Sequence, residues 1–246
     1  MRPSDPSTHV TRLAEKQRHE REALDQLLDS SRVCHVGVVI DGAPVVFPTA
    51  FARDGDVLLI HGSTGSPWMR RVAEGAPISV AVTALDGVVV ARSAFESSLH
   101  YRSAMLFGAA ERVPADGQVA ALDRLTDALI PGRTAEVRPS TRRELAATLV
   151  LALPIERWSL KVSDGWPDDE PDDVDGPAWA GVVPLRETAG EPLPAPDLRD
   201  GIAAPASVQR LGALSTAGVS RSTTPSGAPP TPAAGRGRAG TPASPA

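Results

Sequence analysis

The chain has 246 residues, 41% of them aliphatic, aromatic or Cys, which suits one domain with appendages around a packed core. Its single cysteine, Cys34, excludes a disulfide framework, a Cys-rich zinc site and an iron–sulfur cluster. The net charge is −5, but residues 201–246 hold four Arg and no acid, so the first 200 residues carry −9 and repel phosphate backbones; nucleic acid is not an expected partner.

Residues 1–10 read as a flexible N-terminus whose charges are unlike a secretion signal. No apolar run reaches membrane-spanning length, since Val33 to Phe47 is broken by Asp41-Gly42; no membrane partner and a cytoplasmic location are expected. From Arg12 to Leu28, Leu13, Leu24, Leu27 and Leu28 lie among charges and predict a helix. Three Asp-Gly pairs follow, Asp41-Gly42, Asp54-Gly55 and Asp86-Gly87, each between strand-like runs. They predict tight hairpins, because both residues tolerate the positive φ such turns need. The flanking runs are Val33–Ile40 and Ala43–Phe47, Phe51–Arg53 and Val57–His61, then Ile78–Leu85 and Val88–Arg92. Tyr101–Val113 and Arg157–Val162 add further strands.

Asp116 predicts the cap of a helix from Gly117 to Ile130, stopped by Pro131-Gly132. Thr141-Arg142-Arg143-Glu144 predicts a capping box ahead of Leu145–Leu149, read as core leucines. Antiparallel strands in this number must close or stack to protect their edges, so the fold class expected is mainly β with flanking helices, a small β-barrel. Between Ser163 and Pro177, acidic residues among prolines lack the alternating ligand spacing of a calcium loop; an extended loop and no metal site are expected. The domain spans 11–186, with 187–204 as a C-terminal extension. Residues 205–246, rich in Ala, Gly, Pro, Ser and Thr, read as a disordered tail.

Two stretches carry candidate chemistry. In Leu58–Arg71 a strand runs into a Gly/Ser/Thr turn and a helix with Ser66 as N-cap and Pro67 at its first position. Amides, the hydroxyls of Ser63, Thr64 and Ser66, and Arg70 and Arg71 could together cradle a phosphate; equally, a strand-to-helix turn simply favours such residues. It is not a P-loop, and no nucleophile elbow is present. The second stretch, Val88 to Ser103, holds Arg92, four serines, His100, Tyr101 and Arg102, groups that suit either an anionic ligand or a solvated loop.

The order of motifs adds to this: Gly42-Ala43-Pro44, Phe47-Pro48-Thr49-Ala50, then His61-Gly62-Ser63 with Ser66, Asp86 to Ser93, and Tyr101-Arg102-Ser103 ahead of Phe107-Gly108. From about His9 to Leu185 the chain resembles the flavin-nucleotide-binding branch of the pyridoxamine 5′-phosphate oxidase-like family, with nitroimidazole-resistance-type relatives. The resemblance implies a split β-barrel, a homodimer, and FMN in the crevice between subunits. It lays Val46, Phe47, Pro48 and Thr49 along the isoalloxazine ring. His61, Ser63, Thr64 and Ser66 fall near the ribityl chain and phosphate with Arg70 or Arg71, and Arg102 and Ser103 reach the flavin from a neighbouring strand. Three positions depart from the family pattern. Pro67 stands where relatives have a basic residue and offers no N–H; Ser97 and His100 stand where they often have His and Asn.

The function this implies is a flavin-dependent oxidoreductase acting on a small molecule, with NAD(P)H or a substrate as electron donor and nitroaromatic reduction as one form. A non-catalytic flavin or haem carrier or sensor, with His61 or His100 as axial ligand, is the alternative. No catalytic residue is assigned; His35 reads as a core or edge histidine, and Cys34 as a small hydrophobe.

Overall fold

Positive φ decides the first hairpin. Asp41 (φ 50°) and Gly42 (φ 80°) form the two-residue turn between β2 (Val33–Ile40) and β3 (Ala43–Asp54). The second turn falls one residue later than expected: Asp54 pairs with Val57, so Gly55 (φ 57°) and Asp56 join β3 to β4 (Val57–Ser63). Asp86-Gly87 makes no turn. Residues 77–90 are one strand, β5 (Pro77–Val90), paired along its length with β6 (Ser98–Ala109) and irregular only between Leu85 and Gly87. Gly87 is needed there for close approach: a Cβ would lie 3.1 Å from the Val183 carbonyl oxygen of β10 (Gly181–Pro184), which pairs with this half of β5.

The structure, a computed structural model, describes residues 8–217. The remaining elements are β1 (Gln17–Arg18), α1 (Arg21–Ser30), α2 (Pro67–Ala73), β7 (Glu111–Arg112), α3 (Gln118–Leu129), α4 (Arg142–Ala147), β8 (Thr148–Pro154), β9 (Arg157–Ser163), α5 (Pro171–Val174) and α6 (Ala206–Ala217). All strand pairs are antiparallel and run β1-β9-β6-β5-β2-β3-β4-β8-β7, with β10 beside β2 on one edge of β5. The path does not close: β6 and β8 approach across the gap, where a Cβ on Gly108 would lie 2.9 Å from Leu153 Cδ1. This mainly antiparallel sheet with six helices among the described residues is the split barrel that the motif order implied.

Five elements differ from the expectations. The helix read from Arg12 begins only at Arg21, because Gln17 and Arg18 pair with Lys161 and Leu160 at the sheet edge. Leu24, Leu27 and Leu28 of α1 then plug the barrel, each burial contributing about 1.5–3 kcal/mol. The strand read as Tyr101–Val113 begins earlier, at Ser98, and breaks before β7. The Thr141 capping box forms with Glu144, but its helix ends at Ala147 and Thr148 opens β8, which takes in Leu149. With both faces buried, β8 shows no alternation that would separate it from a helix. Finally, the tail read as disordered from 205 opens with α6, whose buried Ser207 donates through N and Oγ to Glu136. Residues 218–246 lie outside the described residues, as do 1–7. α3 starts at its N-cap Gly117 without a side-chain cap, so Asp116 does not cap it.

The main core joins α1, the inner residues of β2, β5, β6 and β9, and Leu58, Ile60, Leu151 and Leu153 of β4 and β8. A smaller core lies on the other side of β4 and β8, where Ala52, Leu59 and Val150 meet Ala121 and Leu125 of α3. Among the described residues no helix is long and apolar enough to cross a membrane.

Candidate functional site

With the barrel interior filled by side chains, a ligand of several rings must lie outside it. One outer face carries exposed apolar residues. Along β2, Cys34, Val36 and Val38 point into the core, while Val33, His35 and Val39 are exposed. Register carries this face across four more strands. Pro48, His35, Ala81, Met105 and Ser159 form one row, and Val46, Gly37, Ser79, Phe107 and Arg157 the row beside it. Small residues occupy its centre. A Cβ on Gly37 would lie 2.7 Å from Ser79 Oγ. Val33 and Val39 thus leave apolar side chains exposed on the outer face of β2, while its inner face is buried.

His61 sits where this face meets the edge of the smaller core. It pairs with Val150 and, one residue beyond the Phe51–Ile60 pair, comes beside Ala50, itself the partner of Val33. The His61 Nδ1 atom is buried and has no hydrogen-bond partner, and burial lowers the imidazole pKa, so the ring is neutral at pH 7. The turn after it is shaped by packing: a Cβ on Gly62 would lie 3.0 Å from Met69 Cγ, so Gly62 lets α2 close against β4. Within the turn, Ser63 Oγ accepts from the Gly65 amide, and the Thr64 amide and hydroxyl both donate to Ala147 O. Ser66 is the N-cap residue, yet its side chain makes no capping bond, and Pro67 removes one first-turn donor. Arg70 and Arg71 lie exposed in the last turn of α2.

The residues read from the sequence thus divide. Val46, Pro48 and Ser103 share the outer face, with His61 at its rim and the Ser63, Thr64 and Ser66 turn beyond. Ser103 lies 3.3 Å from Thr83 through their hydroxyls. Phe47 and Thr49 alternate to the other side, where Phe47 stacks on Trp68 of α2 with ring centroids 4.8 Å apart. Arg102 is likewise not on this face; its Nε and Nη2 donate to the two Asp86 oxygens at 2.9 Å each. Asp86, read as a turn residue, is its ion-pair partner. His100 is buried, with Nε2 2.7 Å from Gly165 O. Arg92 is held by Asp169, which accepts from its backbone N–H and Nη1. His35, read as a core or edge histidine, is instead exposed on a strand paired on both sides. Cys34 is buried, and desolvation pushes its thiol up to about 12, which leaves it unreactive.

An antiparallel sheet whose path does not close, wrapped around a filled interior, defines a split β-barrel. A family model described as pyridoxamine 5′-phosphate oxidase matches residues 20–162, and the chain belongs to that family. The chain is similar to the FAD and haem binding protein from Mycobacterium smegmatis, with 59% identity and a TM-score of 0.78, covering 80% of this chain and 97% of that one. It is also similar to the flavocytochrome Anf3 from Azotobacter vinelandii, at 35% identity and a TM-score of 0.78, covering 82% and 95%. A structure described as of the 5-nitroimidazole antibiotic resistance type, from Bacteroides thetaiotaomicron, shares the fold at 18% identity and a TM-score of 0.52, covering 59% and 86%. No curated protein matches the sequence.

Proposed function

We propose that this chain is a flavin- and haem-binding redox protein that works as a homodimer, with the outer face of β2 and its neighbours as the seam that holds the cofactors. One observation carries the reading: 59% identity over four-fifths of the chain to a protein described as binding FAD and haem. FAD is therefore the flavin proposed, in place of the FMN that the motif order implies.

The residues present fit such groups. The neutral His61, with its orphaned buried Nδ1, suits a ligand atom at the rim of the face, and His35 stands at its centre. Both are candidates to contact a haem iron. His100 is the weaker candidate, because its Nε2 is already engaged. The Ser63–Ser66 turn, with Arg70 and Arg71, would hold the flavin's phosphates. Such a site is weakened by Pro67, and part of its donor capacity is spent on Ala147. When bound, a flavin supplies one- and two-electron exchange and a haem iron one-electron exchange. This chain's own task is then to bind and orient them, and, with a second copy over the face, to exclude water. NAD(P)H is the proposed electron donor, with a small molecule as acceptor.

Visible absorption of the protein purified from cells tests this. A flavin band together with a Soret band is expected, and mass spectrometry of the released flavin should give FAD. FMN in its place would restore the flavin the motifs imply. A colourless protein that takes up neither flavin nor haemin would overturn the reading. Anaerobic bleaching of the flavin by NADH or NADPH is expected of an oxidoreductase, and its absence would leave a carrier.

A further inference from the structure

The C-terminal extension is tied down at both ends and is solvent-exposed between them. At one end β10 pairs with β5, and the Leu185 amide donates to Asp86 O at 3.0 Å. At the other, Ser207 is buried against Glu136, and Arg210 donates through Nε and Nη2 to Pro131 O. Residues 187–204, between these anchors, are exposed throughout. Leu193 is 91% exposed, and Leu198 and Ile202 are exposed as well. Pro192, Pro194 and Pro196 favour extended backbone over residues 191–196, and the chain turns after them, where the Leu198 amide donates to Ala195 O at 3.0 Å. A loop that merely connects two anchors has no need of three large apolar side chains facing water.

Position says what covers them. β10 continues the line of β2 along the same edge of β5, so the extension leaves the body next to Val33 and Leu85, at the border of the exposed face. Tied at both ends, its 18 residues (187–204) can loop outward by roughly 30 Å, enough to pass the border of the face onto a surface packed against it. We propose that residues 187–204 are an arm that crosses the seam and lays Leu193, Leu198 and Ile202 on the outer sheet face of a second copy, walling that copy's cofactor site from solvent. This rests on the homodimer read above, and each copy's site is incomplete without the other's arm.

Photo-crosslinking of the full chain tests it. Cys34 is buried with its thiol pushed up to about 12, so a Leu193→Cys variant takes a maleimide–benzophenone label at one position. Leu193 is exposed, so the variant should fold, and unchanged far-ultraviolet circular dichroism checks this. Co-expression with a differently tagged unlabelled copy lets the two chains be told apart. On irradiation, crosslinks from the labelled arm to β2 or β3 of the other copy are expected. Leu193→Asp combined with Leu198→Asp should raise the dimer dissociation constant at least tenfold by light scattering. Crosslinks confined to the labelled chain within an intact dimer would overturn the arm and leave the seam standing. A protein that is monomeric at every concentration would overturn both.

Discussion

The contact between Gly37 and Ser79 at the centre of the outer face gives a stability test with a sign that reverses. A methyl on Gly37 would lie 2.7 Å from Ser79 Oγ and 3.6 Å from Ser79 O, with nothing else within 4 Å. Relief requires Ser79 to leave its rotamer or β2 to shift against β5, an overpacking cost of about 1–3 kcal/mol. Gly37 is not at positive φ, so Ala also stiffens the unfolded chain and returns about 0.4–1 kcal/mol. Gly37→Ala should therefore destabilise by about 1 kcal/mol in the natural chain. In a Ser79→Ala background the clashing oxygen is gone, only the entropic gain remains, and the same change should stabilise by about 0.5 kcal/mol. Urea unfolding of the four cofactor-free proteins, compared by midpoint with unchanged slope, reads the coupling. Additivity to within about 0.3–0.5 kcal/mol would mean that β2 and β5 do not approach as described. Gly37→Leu, which raises a side chain from the centre of the face, should in addition lower flavin retention at least tenfold; full retention would move the cofactor elsewhere.

Arg102→Ala breaks two 2.9 Å bonds to Asp86 between side chains about a third exposed, and solvent screening holds the stability loss to about 1 kcal/mol. If the guanidinium also reaches the flavin, flavin affinity should fall by about 1–3 kcal/mol by equilibrium titration; an unchanged dissociation constant would leave Arg102 with Asp86 alone. His61 supplies a pH dependence. Its folded pKa lies below the ordinary 6.5, so in that window the unfolded chain binds more protons, and stability is lost as pH falls below 6.5 toward the folded value. His61→Gln should flatten this slope in urea midpoints measured on cofactor-free protein from pH 8 to 5, and parallel curves would refute the assignment.

What the sequence determined by itself was local. Asp41-Gly42 turns because two adjacent residues tolerate positive φ, the Thr141–Glu144 box caps because its partners are three residues apart, and Pro67 starts α2 because its φ suits a first helical turn. The family resemblance was legible for the same reason: its motifs are short, and their order survives without coordinates. Tertiary structure decided the rest. Asp86-Gly87 remains in a strand because β10, almost a hundred residues later, presses on Gly87, and Asp86 becomes the partner of Arg102. Thr148–Pro154 is a strand because β4, from the other half of the chain, offers it a ladder. His35 faces outward because the pairing of β2 between β3 and β5 fixes which alternate side chains enter the core. A ladder partner and a buried face are set by residues remote in the chain, and no local preference encodes them.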